Sequence, residues 1–331
     1  MKRFISLLMA TLMLVTLLAG CGDNANKDQG SDESTNSVTL RNTGFLTTSD
    51  PNQTTNTHEY TVHENIYEGL YDLNEASGGY DLRLAESIEP NEDATEYIVH
   101  LRQDVKFHNG EQMTADDVVF SYDKAQASPK QASYVRPLDH AEKVDDYTVK
   151  IVMKSSFSPI GHMLHKVKIL SQKEVLEQGD NFGKIANKAG TGPYMWDESN
   201  YNPKTSWSAV AFEDYYRGKA AIERVTWNVI EDDTSAITAL QNGEVDYMVV
   251  PISYWEDVKS TGKFTCVEKQ SNEVMTFCIN IESPTYGSIL QNDKVRLAIM
   301  YAIDRDGVNK LVCDGYGTPT YMYILSLIHI S

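Results

Sequence analysis

Cysteine is scarce in this chain, with 4 in 331 residues, at Cys21, Cys266, Cys278 and Cys313. They lie too far apart for the paired spacing of a zinc ribbon, which excludes that framework. Setting Cys21 aside leaves an odd number, so free thiols or pairing with a cysteine outside this chain both stay open. Basic residues are few as well, 29 Lys and Arg against 47 Asp and Glu, for a formal charge of -18. Nucleic-acid binding needs clustered cations to neutralise phosphates, so nucleic acid is excluded as a partner. Self-repulsion of that size suits a secreted body expected to be a monomer. Catalytic signatures are missing too. Neither H-E-x-x-H nor G-x-S-x-G occurs, and there is no P-loop. His162 and His165 are not at the i,i+4 spacing that sets two histidines on one helix face for zinc. No catalytic residue, no metal and no cofactor is therefore expected, and the chain reads as a non-enzyme.

One apolar run opens the chain. Lys2-Arg3 forms a positive n-region, and Phe4 to Leu17 is too short for a confident membrane span. Leu18-Ala19-Gly20-Cys21 follows and resembles the lipobox of bacterial lipoproteins. That resemblance implies a signal peptide over residues 1–20 and a diacylglycerol on the Cys21 thiol, anchoring the protein to the membrane without a transmembrane helix. Residues 21–37 are polar, with little to bury, and are expected to be a disordered tether.

Period-two and period-3.6 patterns alternate from there on. Val38 to Arg41 reads as a first strand. Tyr97, Val99 and Leu101 alternate with Ile98, His100 and Arg102, a strand with one buried face. Asn109-Gly110 is a turn dipeptide, and Thr114 with Asp117 resembles a capping box ahead of a helix carrying Val118, Tyr122 and Ala125. Gly190-Thr191-Gly192-Pro193-Tyr194 combines a tight turn with a stiff strand entry. Ile222 to Ile230 alternates as a strand. A helix with Ile237 and Leu240 follows, capped by Asp233 or Thr234 and stopped at Gly243, before a strand at Val245 to Met248. Val274 to Asn280 reads as another strand. Val295, Ala298, Ile299 and Ala302 form a helical apolar stripe, and Asp304 can cap a further helix ending near Gly315.

These elements carry a resemblance. The run Leu101-Arg102-Gln103-Asp104-Val105-Lys106-Phe107-His108-Asn109-Gly110, then Thr114-Ala115-Asp116-Asp117-Val118-Val119-Phe120-Ser121, is similar to the signature of solute-binding protein family 5. These are extracytoplasmic proteins serving peptide- and nickel-type ABC importers. Asn65-Ile66-Tyr67-Glu68-Gly69-Leu70, Gly190 to Tyr194, Ala239 to Asp246 and Val295 to Arg305 match further family elements in order. Two elements depart: Ser49 replaces the leucine before Asp50-Pro51, and Ile88 replaces a tryptophan after Leu84-Ala85-Glu86-Ser87.

The resemblance implies an α/β, periplasmic-binding-protein-like fold (type II, cluster C), bilobal with an extra inserted lobe and incomplete at the C-terminus. Lobe I would take residues 38–60 and 185–273, lobe II 61–184, and the start of lobe III 274–323. The apolar residues 324–331 fit no family pattern and are expected to be a foreign tail. The implied function is capture of short peptides outside the membrane and delivery to an ABC permease and its ATPase by hinge closure. Nickel chelates or other small solutes are the runner-up, and a sensor or adhesin without transport is the alternative from another class. Related proteins place aromatic side chains and a crossing strand at the cleft, which points to Phe45, Tyr134, Glu273, Val274 and Met275 as ligand contacts, with plain packing as the other reading. The acidic residue that holds the ligand amino terminus in relatives has no assignable counterpart. Leu101, Arg102, Asp104, Val105, Phe107, Gly110, Thr114, Asp117 and Val118 would hold a lobe together.

Overall fold

In a computed structural model, residues 36–320 are described, apart from residue 75 and residues 270–274. The alternation at residues 97–101 builds the centre of one four-stranded antiparallel sheet, ordered β4-β5-β7-β6: β4 (Ala85–Pro90), β5 (Glu96–Leu101), β7 (Thr148–Met153) and β6 (Leu138–Asp145). Val99 faces Val149 on one neighbour and Ile88 on the other. Tyr97, Val99 and Leu101 point inward and are at most 4% exposed. Helix α2 (Ala115–Ala127) covers this sheet against β6 and β7, burying Val118, Tyr122 and Ala125. Its start is fixed by Asp117, whose Oδ2 accepts the Thr114 backbone N–H at 3.0 Å. Gly110 adopts φ +85°, the left-handed geometry that the turn before this helix requires. Helices α3 (Ala132–Val135), α4 (Ile160–Lys166) and α5 (Gln172–Gln178) and the small hairpin β2 (Tyr71–Asn74) with β3 (Gly79–Leu82) complete this part.

The second four-stranded sheet runs β1-β10-β9-β8, from β1 (Ser37–Asn42), β10 (Arg224–Val229), β9 (Ser206–Ala211) and β8 (Tyr194–Asn202). The β1–β10 pair is parallel, which requires a long crossover, and the intervening chain supplies the first sheet. Trp207 and Trp227 stand opposite each other across β9 and β10. With Trp196 they anchor a core that also takes Val62, Ile66 and Tyr67 from the end of α1 (Thr57–Ile66). Those three residues, on the lobe II side of a boundary at residue 61, thus pack with β1 and its sheet.

A third, smaller cluster joins α6 (Asp233–Asn242) to α7 (Ile252–Ser260). Three local expectations are corrected here. The N-cap of α6 is Asp232, whose side chain accepts from the Ser235 N–H, and neither Asp233 nor Thr234 takes that role. Residues 245–248 form a single parallel bridge, Tyr247 to Leu40, instead of a strand, because only Thr39 and Arg41 exchange backbone bonds with them. Residues 275–280 carry no strand pairing among the described residues, so the expected strand is not formed there. Helices α8 (Gly287–Leu290), α9 (Asp293–Ala302) and α10 (Arg305–Cys313) follow. Asp304 caps α10 by accepting from the Gly307 N–H at 2.9 Å. No residue of α9 or α10 is buried. Val295 and Ile299 are half-buried while Ala298 and Ala302 are exposed, so the stripe has no counter-surface among the described residues.

Candidate ligand-binding surface

Backbone crossings between the two sheets position everything else. Gly192 sits where a Cβ would come within 2.6 Å of the Asn65 carbonyl oxygen, so only glycine admits this approach. The Gly192 N–H donates to the Ile66 carbonyl at 2.9 Å, and His108 Nε2–H donates to the Gly192 carbonyl at 2.9 Å. Beside this crossing lies a buried charge cluster. Glu68, 3% exposed, accepts from Arg83 Nε at 2.5 Å, from the Tyr215 hydroxyl at 2.8 Å and from the Thr191 hydroxyl at 3.0 Å. Burial pushes its carboxyl above the usual range, against the pull of Arg83 and these hydrogen bonds. A carboxylate taken out of water needs such partners, and this one has them.

Two aromatic features face outward from that frame. Phe45, 49% exposed, stands on a loop that is tied at several points. The Leu46 N–H donates to the Pro203 carbonyl at 2.9 Å, His63 Nε2–H to the Thr48 carbonyl at 3.1 Å, and the Tyr67 hydroxyl to the Ser49 carbonyl at 2.6 Å. Lys124 pairs with Asp50 at 2.8 Å. The ring is therefore presented by a fixed backbone. Tyr134, half-buried on α3, belongs to a second feature. Its ring centroid lies 5.4 Å from that of His162 on α4, and it neighbours Tyr60 on α1, whose hydroxyl donates to the Thr54 carbonyl at 3.2 Å. His162 Nδ1 lies 3.1 Å from the Tyr80 hydroxyl, and the Lys166 ammonium sits 4.8 Å over the Tyr60 ring. Burial first, and the neighbouring Tyr134 next, hold the Tyr60 phenol well above its ordinary pKa, so it stays neutral. Such a surface offers ring faces, hydroxyls and one cation to a ligand.

Tyr60, His162 and Tyr80 escaped the sequence reading because they come from separate elements, and only His162 was weighed at all, as a zinc ligand. Beneath Tyr60, Gln131 and Asn52 are at most 1% exposed, and Gln131 Oε1 with both polar atoms of the Asn52 amide lacks a partner among the described residues. The structure brings Tyr134 together with Tyr60, whereas no ring contact or hydrogen bond among the described residues joins Phe45, Tyr134 and Met275. Met275 is 66% exposed. Glu273 and Val274, like Cys21 and residues 324–331, lie outside the described residues. Of the signature residues, Leu101, Val105, Phe107 and Val118 are buried, and Arg102 grips Asp104 through two nitrogens, the shorter at 2.6 Å. Among the described residues no cluster of three or more His, Cys, Asp or Glu could hold a metal, and no helix is long and apolar enough to cross a membrane.

Residues 80–328 match the family described as bacterial extracellular solute-binding proteins, family 5 Middle, a range that reaches into residues 324–331. The glutathione-binding protein GsiB of Pectobacterium atrosepticum is 27% identical over 286 residues, 83% of this chain and 53% of that protein. The oligopeptide-binding protein AppA of Bacillus subtilis is 25% identical over 339 residues, 97% of this chain and 61% of AppA. Its structure in complex with a nonapeptide matches with a TM-score of 0.71 and 26% identity, covering 88% of this chain and 58% of that one. NikZ from Campylobacter jejuni, in complex with Ni(L-His), matches with a TM-score of 0.75 at 23% identity, over 86% of this chain and 56% of NikZ. The fold is thus the α/β fold of bilobal periplasmic binding proteins. The chain spans about half to three-fifths of the length of the relatives it matches.

Proposed function

The chain belongs to family 5 of the bacterial extracellular solute-binding proteins, and from that premise we propose that it is part of the substrate-binding component of an ABC importer for short peptides. The observation that carries the peptide reading is the likeness to oligopeptide-binding AppA along 97% of this chain. Glutathione, named for GsiB, is itself a tripeptide and falls within the same class. Nickel chelates gain less support, because the likeness to NikZ, at 23% identity, extends to fold alone.

In this reading the lobes close over an extended ligand by hinge motion, and the closed form is what the permease and ATPase recognise. Backbone pairing along the ligand is blind to side-chain identity, which suits a receptor for many sequences. Phe45 and the Tyr60–Tyr134 surface supply apolar and hydroxyl contacts, Met275 a flexible one. Glu273 and Val274 belong to the same proposal. The protein performs no covalent chemistry, acts as a monomer, and is held at the outer face of the membrane through lipid on Cys21.

A thermal melt against di- to nonapeptides tests the cargo, run on this chain and on the longest gene product that contains it. Ligand binding to the folded state raises the midpoint. A longer product that folds and shows no shift with any peptide overturns the peptide reading. For the anchor, Cys21→Ser should move the protein from the membrane fraction to the soluble one, and an unchanged distribution refutes lipidation.

A further inference from the structure

A cavity of about 20 Å3 lies beside the Glu68–Arg83 pair, lined among others by Glu64, Asp72 and Lys168. Lys168 is only 5% exposed. Its ammonium takes part in none of the described hydrogen bonds or ion pairs, and the charges acting on it are those of Glu64, Asp72 and Glu68, with Lys166 opposing. A buried ammonium carries three N–H donors and no acceptor, so it demands acceptors from whatever adjoins it.

The carboxylates around the cavity differ in what they have left to offer. Glu68 is saturated by Arg83, Tyr215 and Thr191. Glu64 has only distant nitrogens around it, His165 Nε2 at 3.7 Å and Lys166 Nζ at 3.9 Å. Asp72 meets Arg83 at 3.5 Å and His165 at 3.9 Å, with one short bond from the Leu73 N–H. Lone pairs on Glu64 and Asp72, both half-exposed, therefore remain available at the cavity that Lys168 also lines.

Charge selects the occupant. A cation in the cavity would stand beside both Lys168 and Arg83, and an anion would stand beside three carboxylates. A neutral molecule that accepts once and donates twice fits both sides. The volume is that of about one water, which needs roughly 10–15 Å3. We propose that this cavity is a built site for a single water molecule, which accepts from the Lys168 ammonium and donates to the Glu64 and Asp72 carboxylates. The water links α1 to β2 and gives the Lys168 ammonium an acceptor where no carboxylate touches it. It does so for this chain whether or not the peptide reading holds.

Crystals of the chain soaked in rubidium bromide decide the matter. The expected result is an electron-density peak about 2.7–3.2 Å from Lys168 Nζ, with no anomalous signal at the rubidium or bromine edge. Anomalous signal at either edge makes the occupant an ion and overturns the proposal, as does a cavity without density. Lys168→Met supplies a second reading. The peak should vanish there, and a water that persists unchanged shows that Lys168 does not hold it.

Discussion

Lowering the pH from 7 to 5 should cost this fold about 4 kcal/mol, and two histidines account for it. His63 and His108 are buried in the region where the sheets cross, each with Nε2–H bonded to a carbonyl and with Nδ1 unpartnered. Burial lowers His63 from 6.5 to about 3 and His108 from 6.5 to about 4, outweighing the hydrogen bond to Thr48 or Gly192. A depressed histidine pKa means that the folded state refuses a proton which the unfolded chain accepts. The stability it contributes is fully present above pH 6.5 and is lost as pH falls toward the folded value. Linkage gives about 2 kcal/mol per histidine between pH 7 and pH 5. Against a total of roughly 5–15 kcal/mol for an ordinary domain, that is a large fraction. Glu64, pulled down to about 2 by His165 and the lysines against its own burial, adds a loss only below pH 4.5, outside this window. Glu68 and Asp117, both raised by burial, act in the opposite sense and trim the slope. The assay is urea unfolding at pH 7, 6 and 5, with m-values checked for constancy. His108→Gln, which keeps a donor toward Gly192, should remove about half of the pH dependence. A stability that is flat or rises from pH 7 to 5, or a variant with the wild-type slope, refutes the reasoning.

Three further outcomes follow from named contacts. Arg83→Met leaves the Glu68 carboxyl buried without its cation and should cost about 3–5 kcal/mol, read as a lower urea midpoint. Asp117→Ala removes the acceptor for the Thr114 N–H at 3.0 Å and for the Gln172 N–H at 2.9 Å, so about 2 kcal/mol should be lost in the same assay. Tyr134→Ala should weaken binding of an aromatic or aliphatic peptide by about three- to tenfold in calorimetry while the ligand-free melting point stays nearly constant. An unchanged affinity removes Tyr134 from the proposed surface.

How far such features could be read in the sequence depends on whether their cause is local. The turn at Gly110, the Asp117 cap and the burial of Tyr97, Val99 and Leu101 each rest on residues within a few positions of one another, and all were legible. The cap of α6 at Asp232 was missed by a single position because Asp232, Asp233 and Thr234 are chemically interchangeable there. Strands fail differently. Residues 245–248 and 275–280 have the right residue types, yet a strand exists only where a neighbour completes its hydrogen bonds, and that neighbour is not written locally. The candidate surface is the extreme case. Tyr60 stands on α1, which packs with the second sheet, and Tyr134 on α3, whose Val135 belongs to the core of the first, so their approach is a property of packing, while either residue alone looks like any half-buried aromatic. The same holds for Lys168: no spacing rule marks a lysine that lines one small cavity with Glu64 and Asp72, because the three come from segments far apart in the chain. If the aromatic surface and the charge cluster both depend on the Gly192 crossing, then Gly192→Ala, which drives a methyl to within 2.6 Å of the Asn65 carbonyl, should disturb both at once. The readout is a pair of NMR signals, the Tyr134 ring and the Lys168 ammonium. A variant that still folds and shifts only one of them separates the two features and breaks the argument.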